Sequence, residues 1–249
     1  MLAVFAGTSA IGISIGIVGV GGVFLIPMLV WAGVPLETAI GTSLLTFFMA
    51  AIVATIVYAL HGSIDWQASL LTGIGSLASG ALGARLSVAL PPNAVTACFA
   101  FFLIVTGITA LSRSRLSVAA EHGRKLGPAT LVACGVVAGL GSGLTGVGGP
   151  AVLVPVMLML RAAPATAVAV SQPNAIFSSA SGALGHILFG HVDARLAGML
   201  AIFCCAGVIV GAILHQRTSA DTLRKIVGVA VLALACYLVV KLIRSGQGL

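Results

Sequence analysis

The chain has 249 residues, 59% of them hydrophobic and 7% charged, with a mean hydropathy of +1.20 and a net charge of +7. No water-soluble globule of ordinary composition is this apolar, so the sequence reads as an all-α polytopic membrane protein. Nucleic acid is excluded as a partner of the basic excess, because the twelve Lys and Arg are scattered among short connections and do not cluster on one soluble element.

About 20 apolar residues cross the hydrocarbon core as a helix. On that rule the chain divides into apolar regions at 2–32, 38–60, 67–90, 94–111, 128–160, 166–189, 195–214 and 223–243. The start, Met1 to Ile17, lacks a basic leader and runs straight into a glycine cluster, so it is expected to be a membrane segment and not a cleaved signal. Region one is longer than one crossing needs and is interrupted by "GIVGVGGVFLIPML", Gly16 to Leu29. The second region opens with "IGTSLLTF", Ile40 to Phe47, and leads to "GSID", Gly62 to Asp65. After region four comes the basic stretch "SRSRLSVAAEHGRKLG", Ser112 to Gly127.

Region five then repeats the features of region one, with "GLTGVGGPAVLVPVML" from Gly143 to Leu158. A shift of about 128 positions pairs Gly19, Gly21 and Gly22 with Gly146, Gly148 and Gly149, and Pro27 and Pro35 with Pro155 and Pro164. It also pairs Thr42 and Ser43 with Ser171 and Gln172, and "GSID" with "GHVD" at Gly190 to Asp193. The expected organisation is a first membrane repeat over 1–111, a basic connecting loop over 112–127 and a second membrane repeat over 128–249. An odd number of crossings per half gives inverted repeats and an even number parallel ones. If regions one and five cross fully, the side bearing the central loop carries seven of the twelve basic residues; if they fold back, it carries eight. The counts do not decide, and inverted halves are favoured because paired broken segments belong to that architecture.

Glycine in a helix costs roughly 1 kcal/mol relative to alanine, and released backbone in lipid leaves polar groups unsatisfied. Two such breaks are therefore expected to face a shared wet cavity. Pro150 after Gly149 suits the first turn of a new helix, whose free N–H groups and dipole favour an anion. The alternative is that the glycines serve only close helix packing. The expected substrate site comprises Gly19, Gly21, Gly22, Thr42, Ser43, Gly146, Gly148, Gly149, Ser171, Gln172 and Asn174, with Pro173 loosening its helix. No Lys or Arg falls mid-membrane, so binding would rest on dipoles and neutral donors and be reversible.

The five cysteines lie in apolar runs without metal-ligand spacing and read as packing residues; no metal or cofactor is called for. His61, His186 and His191 lie near connections, where a proton relay could begin, and are read first as interfacial. There is no intramembrane carboxylate from which to read a coupling ion. A serine hydrolase would need a Ser on a glycine-flanked turn facing a His. The nearest approach is Ser142 in "GLGSG" with His186, without a full G-x-S-G elbow.

Two copies of a G-x-x-G-x-G-G…P segment, each with a "GTS"-like element and a "G-x-x-D" connection, resemble the TauE/SafE family of membrane permeases over nearly the whole length. The resemblance implies a multi-pass permease of the bacterial inner membrane for a small sulfur anion such as sulfite, an organosulfonate or thiosulfate, and it leaves open a homodimer. The second half departs from "GTS" with "VSQ" at Val170 to Gln172, which weakens a residue-by-residue transfer. The competing readings are a permease for a cation or other solute, for which carbonyl ends of the broken helices would matter, and a non-transporting membrane subunit.

Overall fold

The computed structural model describes residues 2–18, 22–60, 62, 64–116, 126–189, 191–215 and 220–246. These residues form helices α1 (Leu2–Val18), α2 (Leu25–Trp31, preceded by a 3-10 turn at Gly22–Phe24), α3 (Leu36–Leu60), α4 (Trp66–Ala89) and α5 (Pro92–Leu116). The second half supplies α6 (Pro128–Thr145), α7 (Gly149–Met159), α8 (Pro164–Leu188), α9 (Ala194–His215) and α10 (Ala220–Gly246). There is no strand among the described residues, and α3 together with 92–109, 128–145 and 194–211 is long and apolar enough to cross a membrane. The chain is an all-α, multi-pass membrane protein.

Local chemistry sets the helix ends. Pro128 and Pro164 open α6 and α8 at positions where a missing N–H costs nothing. Asp65 caps α4 by accepting from the Ala68 N–H at 3.0 Å, and Asp193 does the same for the Leu196 N–H of α9 at 2.9 Å. The two short helices also end alike. Gly33 N–H reaches Val30 O and Val34 N–H reaches Leu29 O, while Arg161 N–H reaches Leu158 O and Ala162 N–H reaches Met157 O. Gly33 and Arg161 both take positive φ there, 91° and 63°.

Both interrupted regions turn back on themselves. Gly7 of α1 packs against Met28 of α2, which only a reversal of the chain permits, and Gly141 of α6 packs against Val152 of α7. The crossing question left by the charge counts is answered by these contacts: α1–α2 and α6–α7 are hairpins that return to the side they entered from.

Contacts between helices fix their directions. Ser9 and Ile13 of α1 meet Gly207 and Gly211 of α9, and Thr42 and Thr46 of α3 meet Asp193 and Ala197, so α1, α3 and α9 run parallel. Thr72, Ser76 and Gly80 of α4 meet Gly135, Gly139 and Gly143 of α6, while Gly80 and Ala84 meet Ser181 and Gly185 of α8. These three make a second parallel trio. The trios oppose each other, because Gly41 of α3 lies against His186 and Leu44 against Gly182 of α8. Glycine and serine line the α1–α9 and α4–α6 seams, where backbone-to-backbone packing replaces the hydrophobic drive that lipid cannot provide. Outside the trios, Gly107 of α5 touches Leu232 of α10.

Trp31 at the end of α2 and Trp66 at the start of α4 are exposed, at 83% and 54%. They lie on opposite faces of the bundle: Trp31 on the face where α3 begins, Trp66 on the face where α3 ends.

Candidate functional site

The two breaks meet. Gly22 packs against the Val147 carbonyl and the Phe47 ring, and Phe47 stands near the middle of α3. On the second-half side, Gly146 (φ 72°) closes α6 by donating its N–H to Ser142 O at 2.7 Å, and Gly148 (φ 85°) precedes α7. Any side chain at these two positions is strained by about 1–3 kcal/mol, which is the local reason for glycine.

A cavity of about 30 Å³ lies at the junction, lined among others by Gly22, Phe47, Gly148, Pro150, Gln172 and Ser179. It has room for roughly two waters. The first N–H groups of α7 have no partner within their own helix, and Asn174 stands directly beside them, its Nδ2 packed against Gly149. Asn174 is fully buried. Its Oδ1 accepts from Ser76 Oγ at 2.7 Å, while its Nδ2 has no partner. Ser76 Oγ has one proton and a second acceptor, the Gly135 carbonyl at 2.8 Å: when the hydroxyl donates to Asn174 the amide turns Nδ2 to α7, and when it donates to Gly135 it accepts from Nδ2 and the amide turns Oδ1 to α7. Ser43, Ser142 and Ser179 are further buried hydroxyls without a partner. An unpaired buried donor costs about 1–3 kcal/mol; of these groups Asn174 Nδ2 lies against Gly149 and Ser179 lines the cavity.

The residues expected at the site from sequence fall into groups. Gly22, Gly148 and Gln172 line the cavity, and Gly149 and Asn174 pack against each other one residue away from its lining residues Gly148 and Ala175. Gly146 lies one residue before Val147 and packs on Ile26 and Ile40. Ser43 is one turn before Phe47 on the same side of α3. Thr42 is turned to α9, where its Oγ1 accepts from the Asp193 N–H at 3.1 Å, and Ser171 Oγ donates to Val168 O at 2.7 Å. Gly19, Gly21 and His61 lie outside the described residues. Phe47, Ser76, Ser178 and Ser179 were not anticipated. For Ser178 and Ser179 the signal was present in α8, where Ser171–Ser178, Gln172–Ser179 and Asn174–Ser181 repeat at seven-residue spacing and so share a face.

A second cavity, of about 280 Å³, extends to the face where α3 begins, with Pro92 and Asn93 at its rim and Ile26, Ile40 and Thr145 at its depth. Ile26 and Ile40 also pack onto Gly146. Gly146 is in turn next in sequence to Val147, which lines the smaller cavity.

Residues 1–110 and 131–248 match the family described as "Sulfite exporter TauE/SafE". Among curated proteins the chain is similar to the probable membrane transporter protein YunE of Bacillus subtilis (strain 168), with 26% identity over 96% of this chain and 95% of the relative. It is also similar to the probable membrane transporter protein MJ0441 of Methanocaldococcus jannaschii, with 29% identity over 86% of each. A third relative, the probable membrane transporter protein YdhB of Bacillus subtilis, is 28% identical over 81% of this chain and 85% of its own length. No solved structure matches.

Proposed function

The chain belongs to the TauE/SafE family and is a membrane transporter by that membership; from this premise we propose that it is a secondary permease for a small sulfur oxyanion or sulfonate, bound where its two hairpins meet. The observation that carries the reading is the fully buried Asn174 amide beside the first turn of α7, one end of it held by Ser76 and the other without a partner. A bound oxyanion accepts from that amide and from the free N–H groups of the turn, and the dipole of an eleven-residue helix adds to the attraction. There is no Lys or Arg among the residues lining the junction. Neutral donors hold the anion without trapping it.

The cavity at the junction, with room for roughly two waters, matches a small oxyanion in scale. Entry from the larger cavity requires Ile26 and Ile40 to leave Gly146. The antiparallel pairing of α3 with α8 and of the two trios supports inverted repeats, in which one hairpin opens the site to one face and its counterpart to the other. With both hairpins folded back, the face on which α3 ends carries eight of the twelve Lys and Arg, which supports its placement in the cytoplasm. The larger cavity then faces outward.

Catalysis is not favoured by the geometry: His186 Nε2 is engaged by the Gly143 carbonyl at 3.0 Å and not by the neighbouring Ser142 hydroxyl.

Proteoliposome exchange of labelled sulfite, competed with thiosulfate, methanesulfonate, sulfate and chloride, tests the proposal. Competition by the sulfur anions with chloride inert is expected. Exchange of none of them, or equal competition by chloride, removes the reading.

A further inference from the structure

On the face where α3 begins, three titratable groups that the anion site does not use come together around Gly41. Glu37 Oε2 is 3.0 Å from His191 Nε2, and both side chains are partly exposed. The His191 N–H donates to the His186 carbonyl at 3.0 Å, and Gly41 is wedged between the His191 backbone and the His186 side chain. His186 is fully buried, with its Nε2 at 3.0 Å from Gly143 O and its Nδ1 without a partner. His191 and Glu37 lie within electrostatic reach of that ring.

We propose that Glu37, His191 and His186 form a proton site, loaded from the face where α3 begins, and that the proton on His186 is the coupling ion of the transporter. The proposal rests on the transport reading above and extends it. A carbonyl only accepts, so a neutral His186 carries its proton on Nε2 and leaves a lone pair at Nδ1. A second proton goes to that lone pair, giving an imidazolium whose Nδ1–H meets no acceptor while the seam is closed. Burying that unpaired donor and charge is costly, so protonation favours an arrangement in which the α6–α8 seam opens and the N–H finds water. Gly143 is three residues before Gly146 in the same hairpin, so the displacement reaches the break. The proton thereby shifts the hairpin between its two positions.

The surrounding charges fit delivery from one face. From α3 comes Glu37; the connection into α9 brings His191, Asp193 and the exposed Arg195; the end of α4 brings the exposed Arg85; and the part of α6 packed here brings the Gly143 carbonyl alone. Glu37 and His191 are the partly exposed outer pair and His186 the buried inner group.

Wild type and His186→Gln are compared in proteoliposomes with labelled thiosulfate, which stays ionised near neutral pH. Gln keeps an N–H for the Gly143 carbonyl but cannot take a second proton. One assay follows exchange at equal pH. The other follows uptake driven by a one-unit pH gradient, worth about tenfold in concentration for one-to-one coupling. Both proteins should exchange within about twofold of each other, and only the wild type should accumulate. Accumulation by His186→Gln at the wild-type level overturns the proton site and leaves the anion site standing. If the wild type exchanges neither thiosulfate nor any other of the sulfur anions, the anion reading fails separately, and nitrogen spectra of labelled histidine in lipid nanodiscs decide the proton site. The signal missing from His186→Gln shows a second proton arriving at Nδ1 as the pH falls if the site exists, and stays neutral throughout if it does not.

Discussion

A side chain added at position 149 has nowhere to go: its Cβ would stand 2.5 Å from Ser178 Oγ and 2.9 Å from Asn174 Nδ2. Gly149→Leu is therefore expected to push Asn174 off α7 and to lower anion exchange at least about a hundredfold, while the protein still inserts in the membrane. Asn174→Leu removes the donor at similar volume and should weaken apparent anion affinity by about tenfold or more, since a hydrogen bond to a charged group contributes roughly 1.5–3 kcal/mol. Competition curves in proteoliposomes, normalised to reconstituted protein, check both; wild-type values would deny Asn174 its place in the site. These two residues were legible in the sequence because Asn and clustered Gly are out of character in an apolar run. The serines were not. A hydroxyl in a membrane helix usually bonds its own backbone, as Ser171 and Thr46 do here, so type alone did not separate Ser178 and Ser179 from them. Thr42 was anticipated as a ligand on the strength of its motif, and its contact with the Asp193 N–H depends on which helix packs beside α3, a tertiary fact that the motif does not contain.

Among the elements, the α4–α6 seam depends on the absence of side chains. A Cβ at Gly139 meets Ser76 Cα at 2.7 Å and crowds its carbonyl, whereas a Cβ at Gly127, just ahead of α6, meets nothing within 4 Å. Gly139→Val is expected to lose most of the folded protein in a thermal size-exclusion assay, and Gly127→Ala to leave it unchanged. A difference confined to transport, with equal folded yields, would mean that the seam is not structural. The helices themselves were readable from apolar length, and the paired Asp65 and Asp193 announced two helix starts. Whether regions one and five crossed was not readable, because basic counts of seven and eight nearly balance. What turns the chain back is the fit of Met28 on Gly7 and Val152 on Gly141, and such fits leave no periodic trace in a uniformly apolar segment.

At the scale of the whole molecule, hairpins that return to their side of entry divide the connections between two faces. The composition of 12 basic against 5 acidic residues gave the direction of this asymmetry but not its map. The map follows from which helices are parallel. The two tryptophans, the full complement of the chain, happen to mark its two sides. Trp31 ends the returning arm of the first hairpin, and Trp66 opens a helix of the opposing trio. In right-side-out vesicles, external iodide should quench a Trp66→Phe variant, whose emission comes from Trp31, and should spare a Trp31→Phe variant; the reverse pattern would invert the assigned orientation. Nature has thus placed one intrinsic fluorophore on the lever and another on the frame, so that turnover can be watched by light in unlabelled protein, one side of the bilayer at a time.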